Sequence, residues 1–262
     1  MHSKEDILEA FGRFLDVLDE LRVKCPWDRK QTNESLRPNT IEEVYELSDA
    51  IVANDTKNIC KELGDVLLHV AFYSKIASEK SEFDFKDVCD HLCDKLIYRH
   101  PHVFGEAKAE TAGEVSKNWE QLKMGEKDGN KSLLSGVPSS LPSLIKAFRM
   151  QEKAANVGFD WPVREDVWNK VYEEIDELRA EFEKGDKAKA EKEFGDFLFS
   201  IVNAARLYGV NPDTALELTN NKFRSRFGYI EQQAKSKGVK LKDMSLEQMD
   251  ALWNEAKKTE QE

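Results

Sequence analysis

Apolar residues recur every three to four positions along most of this chain, and the strict alternation of a half-buried strand is absent. Ile7, Phe11, Phe14, Leu18 and Leu21 trace one face of a first amphipathic helix. The same period predicts helices over about 40–53, 56–79, 84–99 and 111–124, the last opened by a Thr111/Glu114 capping box. A second series is predicted over about 140–156, 164–184, 186–208, 212–236 and 245–259. Its punctuation is plain in the residues: Gly209 as a stop, Asn211-Pro212 as a cap with proline at the first helical position, and Ser245 with Gln248 as another capping box. The expected fold class is therefore all-α.

Two helices break the one-sided pattern. The run from Val66 to Ile76 is apolar nearly all round, and so is the stretch of Phe194, Phe197, Leu198, Phe199, Ile201, Val202, Ala204, Ala205 and Leu207. A helix of that kind is expected to be buried. Each carries acids at its start, Glu62 and Asp65 on the first, Glu193 and Asp196 on the second. Carboxylates in apolar surroundings are costly unless a cation or dense hydrogen bonding compensates them.

These acids belong to a repeat. Glu42, Glu43, Glu46, Glu62 and Asp65 recur as Glu173, Glu174, Glu177, Glu193 and Asp196, each 131 residues after its counterpart. Within each set the acids come in pairs three apart, so each pair leaves one face of its helix. Two such helices packed antiparallel would gather four carboxylates around one or two hard cations, for which Mg2+, with Mn2+ as a substitute, is the best match. The metal ligands expected are Glu43, Glu46, Glu62 and Asp65 in the first half and Glu174, Glu177, Glu193 and Asp196 in the second. Thr40 with Glu43 also reads as a capping box; Glu174 keeps the acid where Val171 replaces the threonine, which favours the ligand role. Glu42 and Glu173 are assigned to the surroundings of the site or to solvent.

Two further patterns recur beside the acids. Lys95 and Arg99, and again Lys222 and Arg226, place two cations four apart on one helical face, a geometry suited to phosphate or to a solvated surface. Trp119 with Lys123, and Trp253 with Lys257, put an indole one turn from an ammonium, either for stacking on a base or for core packing. Trp27-Asp28 and Asp160-Trp161 form a looser echo in inverted order, and His100 and His102 are read as structural.

Composition narrows the partners. The chain of 262 residues carries a formal charge of -11 with 34% charged residues and no Lys/Arg-rich block, which argues against nucleic acid as a partner. No apolar run approaches the length of a membrane span and none follows the N-terminal Met-His-Ser-Lys, so a soluble cytoplasmic protein without a signal peptide is expected. Cys25, Cys60, Cys89 and Cys93 all fall in the first half, outside the repeat, and are read as free thiols in a reducing compartment. Zinc at Cys89, His91 and Cys93 is disfavoured because a helix turns His91 away from the cysteines. A P-loop is absent, and Asp65 and Asp196 stand where a di-iron bundle would place histidine. Domains are expected at 1–124 and 143–262, joined by a Gly/Ser/Pro-rich linker at 125–142.

The double acid motif, taken with Cys25-Pro26-Trp27-Asp28, His100-Pro101-His102-Val103-Phe104 and Leu134-Ser135-Gly136-Val137-Pro138, resembles the MazG-type nucleoside triphosphate pyrophosphohydrolases over about residues 5–260. The resemblance implies a tandem repeat of two helical-bundle all-α NTP pyrophosphatase domains, a homodimer, Mg2+, and conversion of nucleoside triphosphates to monophosphate and pyrophosphate. It further implies that Glu174, Glu177, Glu193 and Asp196 bind metal, that Lys222 and Arg226 take phosphate, and that Trp253 and Lys257 lie near the nucleoside. Glu43, Glu46, Glu62, Asp65, Lys95 and Arg99 are the first-half equivalents, and the second module is the one expected to turn over. The rival readings are a narrower pyrophosphohydrolase, acting on a pyrimidine deoxynucleotide or phosphoribosyl-ATP, and a metal-binding helical regulator without turnover.

Overall fold

A computed structural model of the chain describes residues 1–108, 111, 113–115, 122 and 132–259, and among them all regular structure is helical. The chain divides into two compact units, Met1–Glu110 and Thr111–Glu262. Residues 125–131 of the expected linker, together with Trp119 and Lys123, lie outside the described residues. The capping box at Thr111 is present, with each backbone N–H of Thr111 and Glu114 donating to the other's side chain.

The first unit contains α1 (Lys4–Lys24), α2 (Asn33–Val52), α3 (Thr56–Glu79), α4 (Phe85–Arg99) and the single turn α5 (Pro101–Phe104). Its core joins Leu18 of α1, Leu36 of α2 and Ala71, Phe72 and Ile76 of α3, with Phe14, Tyr73 and Phe85 packed around them. The periodic face of α1 is thus only partly used: Leu18 is buried, whereas Ile7 and Leu21 remain exposed. Helix α2 begins seven residues before the expected start, at a Thr32/Ser35 capping box, and continues through Pro38. Thr40 is accordingly not a cap. Its hydroxyl donates to the Leu36 carbonyl at 3.0 Å and lies 2.9 Å from His69 Nδ1 and 2.6 Å from the Tyr73 hydroxyl, which ties α2 to α3.

The second unit contains α6 (Ser143–Asn156), α7 (Val167–Lys184), α8 (Lys187–Leu207), α9 (Pro212–Ser236) and α10 (Leu246–Thr259). Val167 and Val171 of α7 are buried against Ala204 of α8, with Phe197 and Leu207 completing the cluster. Ile230 and Ala234 on α9, and Leu252 and Ala256 on α10, are also buried.

The two acid-bearing helix pairs are built alike. Asn54, with φ 53°, joins α2 to α3, and Gly185, with φ 74°, joins α7 to α8. Each is followed by an aspartate N-cap, Asp55 and Asp186, whose side chain accepts backbone N–H groups of the next helix. A left-handed residue next to a cap turns the chain back within two residues and sets the paired helices antiparallel. The all-round burial expected of α3 and α8 is not realised within the chain. Leu63, Leu67 and Val70 remain exposed as a stripe on α3, and Phe194, Leu198 and Ile201 form the same stripe on α8. No described helix is long and apolar enough to cross a membrane.

Candidate functional site

In the first unit Glu43 of α2 meets Glu62 and Asp65 of α3, with one carboxylate oxygen from each lying within 4.8 Å of the others. In the second unit Glu174 and Glu177 of α7 meet Glu193 of α8 within the same limit. The antiparallel pairing of the repeat helices therefore gathers three of the four expected ligands in each half. Glu46 and Asp196 stand outside these triads, though both remain close: Glu46 shares an ammonium with Glu62 and Asp65, and Asp196 lines a cavity with Glu174.

Burial falls differently from the expectation. Glu62 (5% exposed) and Glu174 (6%) are the deeply buried acids, Asp65 and Glu193 are half-buried, and Asp196 is exposed. The reason is the exposed stripe on α3 and α8, which leaves one side of each helix open to solvent. Desolvation, then the nearby charges of Asp65, Glu46 and Glu62, hold the Glu43 carboxyl above its ordinary range. Desolvation, followed by Glu177, Asp196, Glu174 and Glu181, does the same to Glu193. Like charges crowded in this way favour either a proton or a cation.

Each cluster meets one lysine ammonium, and the two differ in origin. Lys61 Nζ, on α3, lies 2.8 Å from Glu62, 3.6 Å from Asp65 and 4.0 Å from Glu46. Lys170 Nζ, on α7, lies 2.8 Å from Glu173 and 2.7 Å from Glu174, and these hydrogen bonds raise the lysine's pKa. Lys61 thus reaches acids of both helices, Glu46 on α2 and Glu62 and Asp65 on α3. Glu177, Glu193 and Asp196 of the second have no ion-pair partner among the described residues. Neither lysine was singled out by the motif, although Lys170 precedes Glu174 by one helical turn, which is a legible pairing signal.

The donor set fits a hard divalent cation. All ligating atoms are carboxylate oxygens, and Glu62 Oε2 is buried without any hydrogen-bond partner. An orphaned anionic oxygen of that kind is accounted for by a bound cation better than by packing alone.

A cavity of about 740 Å3 opens beside the second cluster. Lys170, Glu174 and Asp196 stand on its wall together with Met150, Gln151, Phe159, Trp161 and Phe199. One rim is pinned by Arg206 of α8, whose guanidinium grips both carboxylate oxygens of Asp160, one of them at 3.0 Å. Burial opposes ionisation of Asp160, but Arg206 and the Trp161 N–H outweigh it and lower its pKa. The Asp160-Trp161 segment, noticed in the sequence only as an echo of Trp27-Asp28, is therefore part of the wall.

The basic and aromatic residues separate into two sets. Arg226 lies over the Trp253 ring, 5.3 Å from its centroid, and Phe223 contacts the same ring at 5.3 Å. The cation of α9 and the indole of α10 thus meet, while Lys222 and Lys257 are exposed on the same two helices. None of Lys222, Arg226, Trp253 and Lys257 lines the cavity. In the first unit Lys95 and Arg99 lie on α4, and the ammonium that reaches the acids is that of Lys61 instead.

Comparison with known proteins agrees with this arrangement. The family model for the MazG nucleotide pyrophosphohydrolase domain matches twice, at residues 31–104 and 164–229, once over each acid-bearing helix pair. A nucleoside triphosphate pyrophosphohydrolase of Escherichia coli K12 is 42% identical over 260 residues, spanning 97% of this chain and 99% of that protein. The Thermotoga maritima nucleoside triphosphate pyrophosphohydrolase/pyrophosphatase MazG is 43% identical over 250 residues, 94% of this chain and 95% of that protein. An uncharacterized Bacillus subtilis protein, YabN, is 48% identical over 258 residues, 97% of this chain but 53% of its own length.

Proposed function

The chain belongs to the MazG nucleotide pyrophosphohydrolase family, and from that premise we propose that it hydrolyses nucleoside triphosphates to the monophosphate and pyrophosphate. The observation that carries the proposal is the triad of Glu174, Glu177 and Glu193, of which Glu174, with the neighbouring Asp196, stands on the wall of a cavity of small-molecule size. Glu174, Glu177, Glu193 and Asp196 would hold the cation, and their first-unit equivalents are Glu43, Glu46, Glu62 and Asp65. A divalent ion there, Mg2+ with Mn2+ as a substitute, supplies charge neutralisation at the triphosphate. Lys170 donates to a phosphate oxygen at the cavity mouth. Lys222 and Arg226 add positive charge for the polyphosphate, with Trp253 fixing the Arg226 guanidinium by stacking and Lys257 one turn beyond. Lys95 and Arg99 are the corresponding first-unit cations.

The second unit carries turnover on this reading, because its Glu177, Glu193 and Asp196 have no ion-pair partner among the described residues, whereas Lys61 reaches Glu46, Glu62 and Asp65 in the first. The matching exposed stripes, Leu63, Leu67 and Val70 and then Phe194, Leu198 and Ile201, are proposed to bury against a second copy as a homodimer. All four cysteines are free, which suits a cytoplasmic protein.

A panel of nucleoside triphosphates, with products resolved by ion exchange, tests the activity. Turnover should stop in chelator and return with Mg2+ or Mn2+. Glu193→Gln should lower it by about 100-fold or more, the scale expected when charge stabilisation at the reacting phosphate is lost, while Glu62→Gln leaves most of it. Equal losses from the two substitutions would reject the division between units.

A further inference from the structure

Two kinds of backbone line the cavity of the second unit. Asp196, Phe199, Asn203 and Arg206 line it from α8, at the spacing of successive helical turns. The five consecutive residues from Gly158 to Pro162 line it from the connection between α6 and α7. Helix α8 is held by its own hydrogen-bond ladder. The connection is not: Asp160, Trp161 and Pro162 make no backbone–backbone hydrogen bond among the described residues, and Phe159 and Trp161 are exposed. One ion pair ties it down. Arg206 donates from Nε and Nη2 to Asn203 Oδ1 at 3.1 and 2.9 Å, which fixes the guanidinium plane, and from Nη1 and Nη2 to the two carboxylate oxygens of Asp160. Both side chains are shielded, 12% exposed for Arg206 and 29% for Asp160, and a forked, charge-assisted pair is strong there. Asp160 Oδ1 also accepts the Trp161 N–H at 2.9 Å, which carries the hold to the next residue's backbone. The first unit secures its Trp27-Asp28 stretch in another way. Backbone turns join Arg29 to Cys25, Lys30 to Trp27 and Gln31 to Asp28, and Arg22 adds hydrogen bonds to the Asp28 and Gln31 carbonyls. The second unit thus concentrates on one side-chain pair what the first spreads over the backbone.

Resting on the pyrophosphohydrolase reading, we infer that Arg206 and Asp160 are positioning residues for the reaction: their pair holds the 158–162 wall in the conformation that receives the nucleoside triphosphate. Arg206 stands ten residues beyond Asp196 on α8, about 15 Å along the helix, so it acts through the wall and not on the cation at the acids. Breaking the pair lets the wall move. Affinity for the substrate falls, and affinity of the acids for metal does not.

Steady-state kinetics of the full chain with ATP and Mg2+ tests this in Asp160→Asn, Arg206→Gln, Arg206→Lys and the Asp160→Asn/Arg206→Gln double variant. Asp160→Asn and Arg206→Gln should each raise KM about tenfold, the effect of losing a charged hydrogen-bonded pair, with kcat changed far less. Arg206→Lys, which keeps the charge and loses the fork, should fall between wild type and Arg206→Gln. The double variant should match the worse single variant, because the two side chains act as one unit. Mn2+ affinity without nucleotide should stay at the wild-type value throughout. Hydrogen exchange reads the hold on the wall without turnover: amides of 159–163 should exchange faster in Arg206→Gln, and those of 190–199 at the wild-type rate. A pair that only stabilises the fold would lower kcat with the fraction of folded enzyme and leave KM unmoved, and that result would overturn the proposal. KM effects that multiply in the double variant, or unchanged exchange at 159–163, would do the same. Failure of wild type to release pyrophosphate from any triphosphate would instead reject the function proposed above, and exchange would still decide whether the pair holds the wall.

Discussion

At the scale of single residues, the acids were legible because the repeat preserved them, and their compensation was not. Spacing placed Glu43 with Glu62 and Glu174 with Glu193, and the structure brings both pairs together. Which acid is buried depends on which faces of α3, α7 and α8 the neighbouring helices cover, and no spacing rule contains that. His69 escaped notice for a related reason. It has no repeat partner, since Ser200 occupies the equivalent place, yet it is buried beside the Thr40 hydroxyl and the Tyr73 ring. Desolvation lowers its pKa below the ordinary 6.5, against the opposing pull of Asp65. The unfolded chain therefore binds this proton at higher pH than the folded one. The stability due to a neutral His69 is complete above about pH 6.5 and is lost as pH falls from there toward the lowered folded value. Thermal melts between pH 7 and pH 5 should show that loss, and His69→Gln should flatten it. An unchanged slope in the variant would assign the pH dependence elsewhere.

At the scale of elements, helix ends marked by glycine, proline or a cap were readable, as α9 shows with its Asn211 cap and Pro212 start. The start of α2 was not: the helix opens at the Thr32/Ser35 capping box, ahead of the periodic apolar positions, and continues through Pro38, which stands in the second turn, where little of the hydrogen-bond ladder is lost. The turns between the acid helices explain how the clusters form. Gly185 adopts φ 74° with open space around its Cβ position, so a side chain there meets backbone strain without a clash. Gly185→Ala should cost about 1 kcal/mol. Asn54→Gly, at the equivalent turn, should be close to neutral, because asparagine already tolerates this conformation. Denaturant melts of the two variants provide the check: a larger loss at Asn54 than at Gly185 would mean that the asparagine side chain, and not backbone conformation, holds its turn.

At the scale of the whole molecule, the tandem all-α organisation followed from the duplicated motif, and the family match over both copies agrees with it. The exposed stripes on α3 and α8 were misread as core because apolar residues all round a helix do not say whether the last face is covered by the same chain or by another. Leu67→Glu combined with Leu198→Glu puts a charge into each stripe. If the stripes are subunit contacts, light scattering should move from about twice the 30.1 kDa chain mass to the chain mass itself. A mass equal to one chain in the wild type would contradict the dimer. The bond broken is read directly by 31P NMR of the wild-type reaction with ATP and Mg2+. AMP and pyrophosphate should grow in equal amounts, whereas ADP with orthophosphate would contradict hydrolysis to the monophosphate.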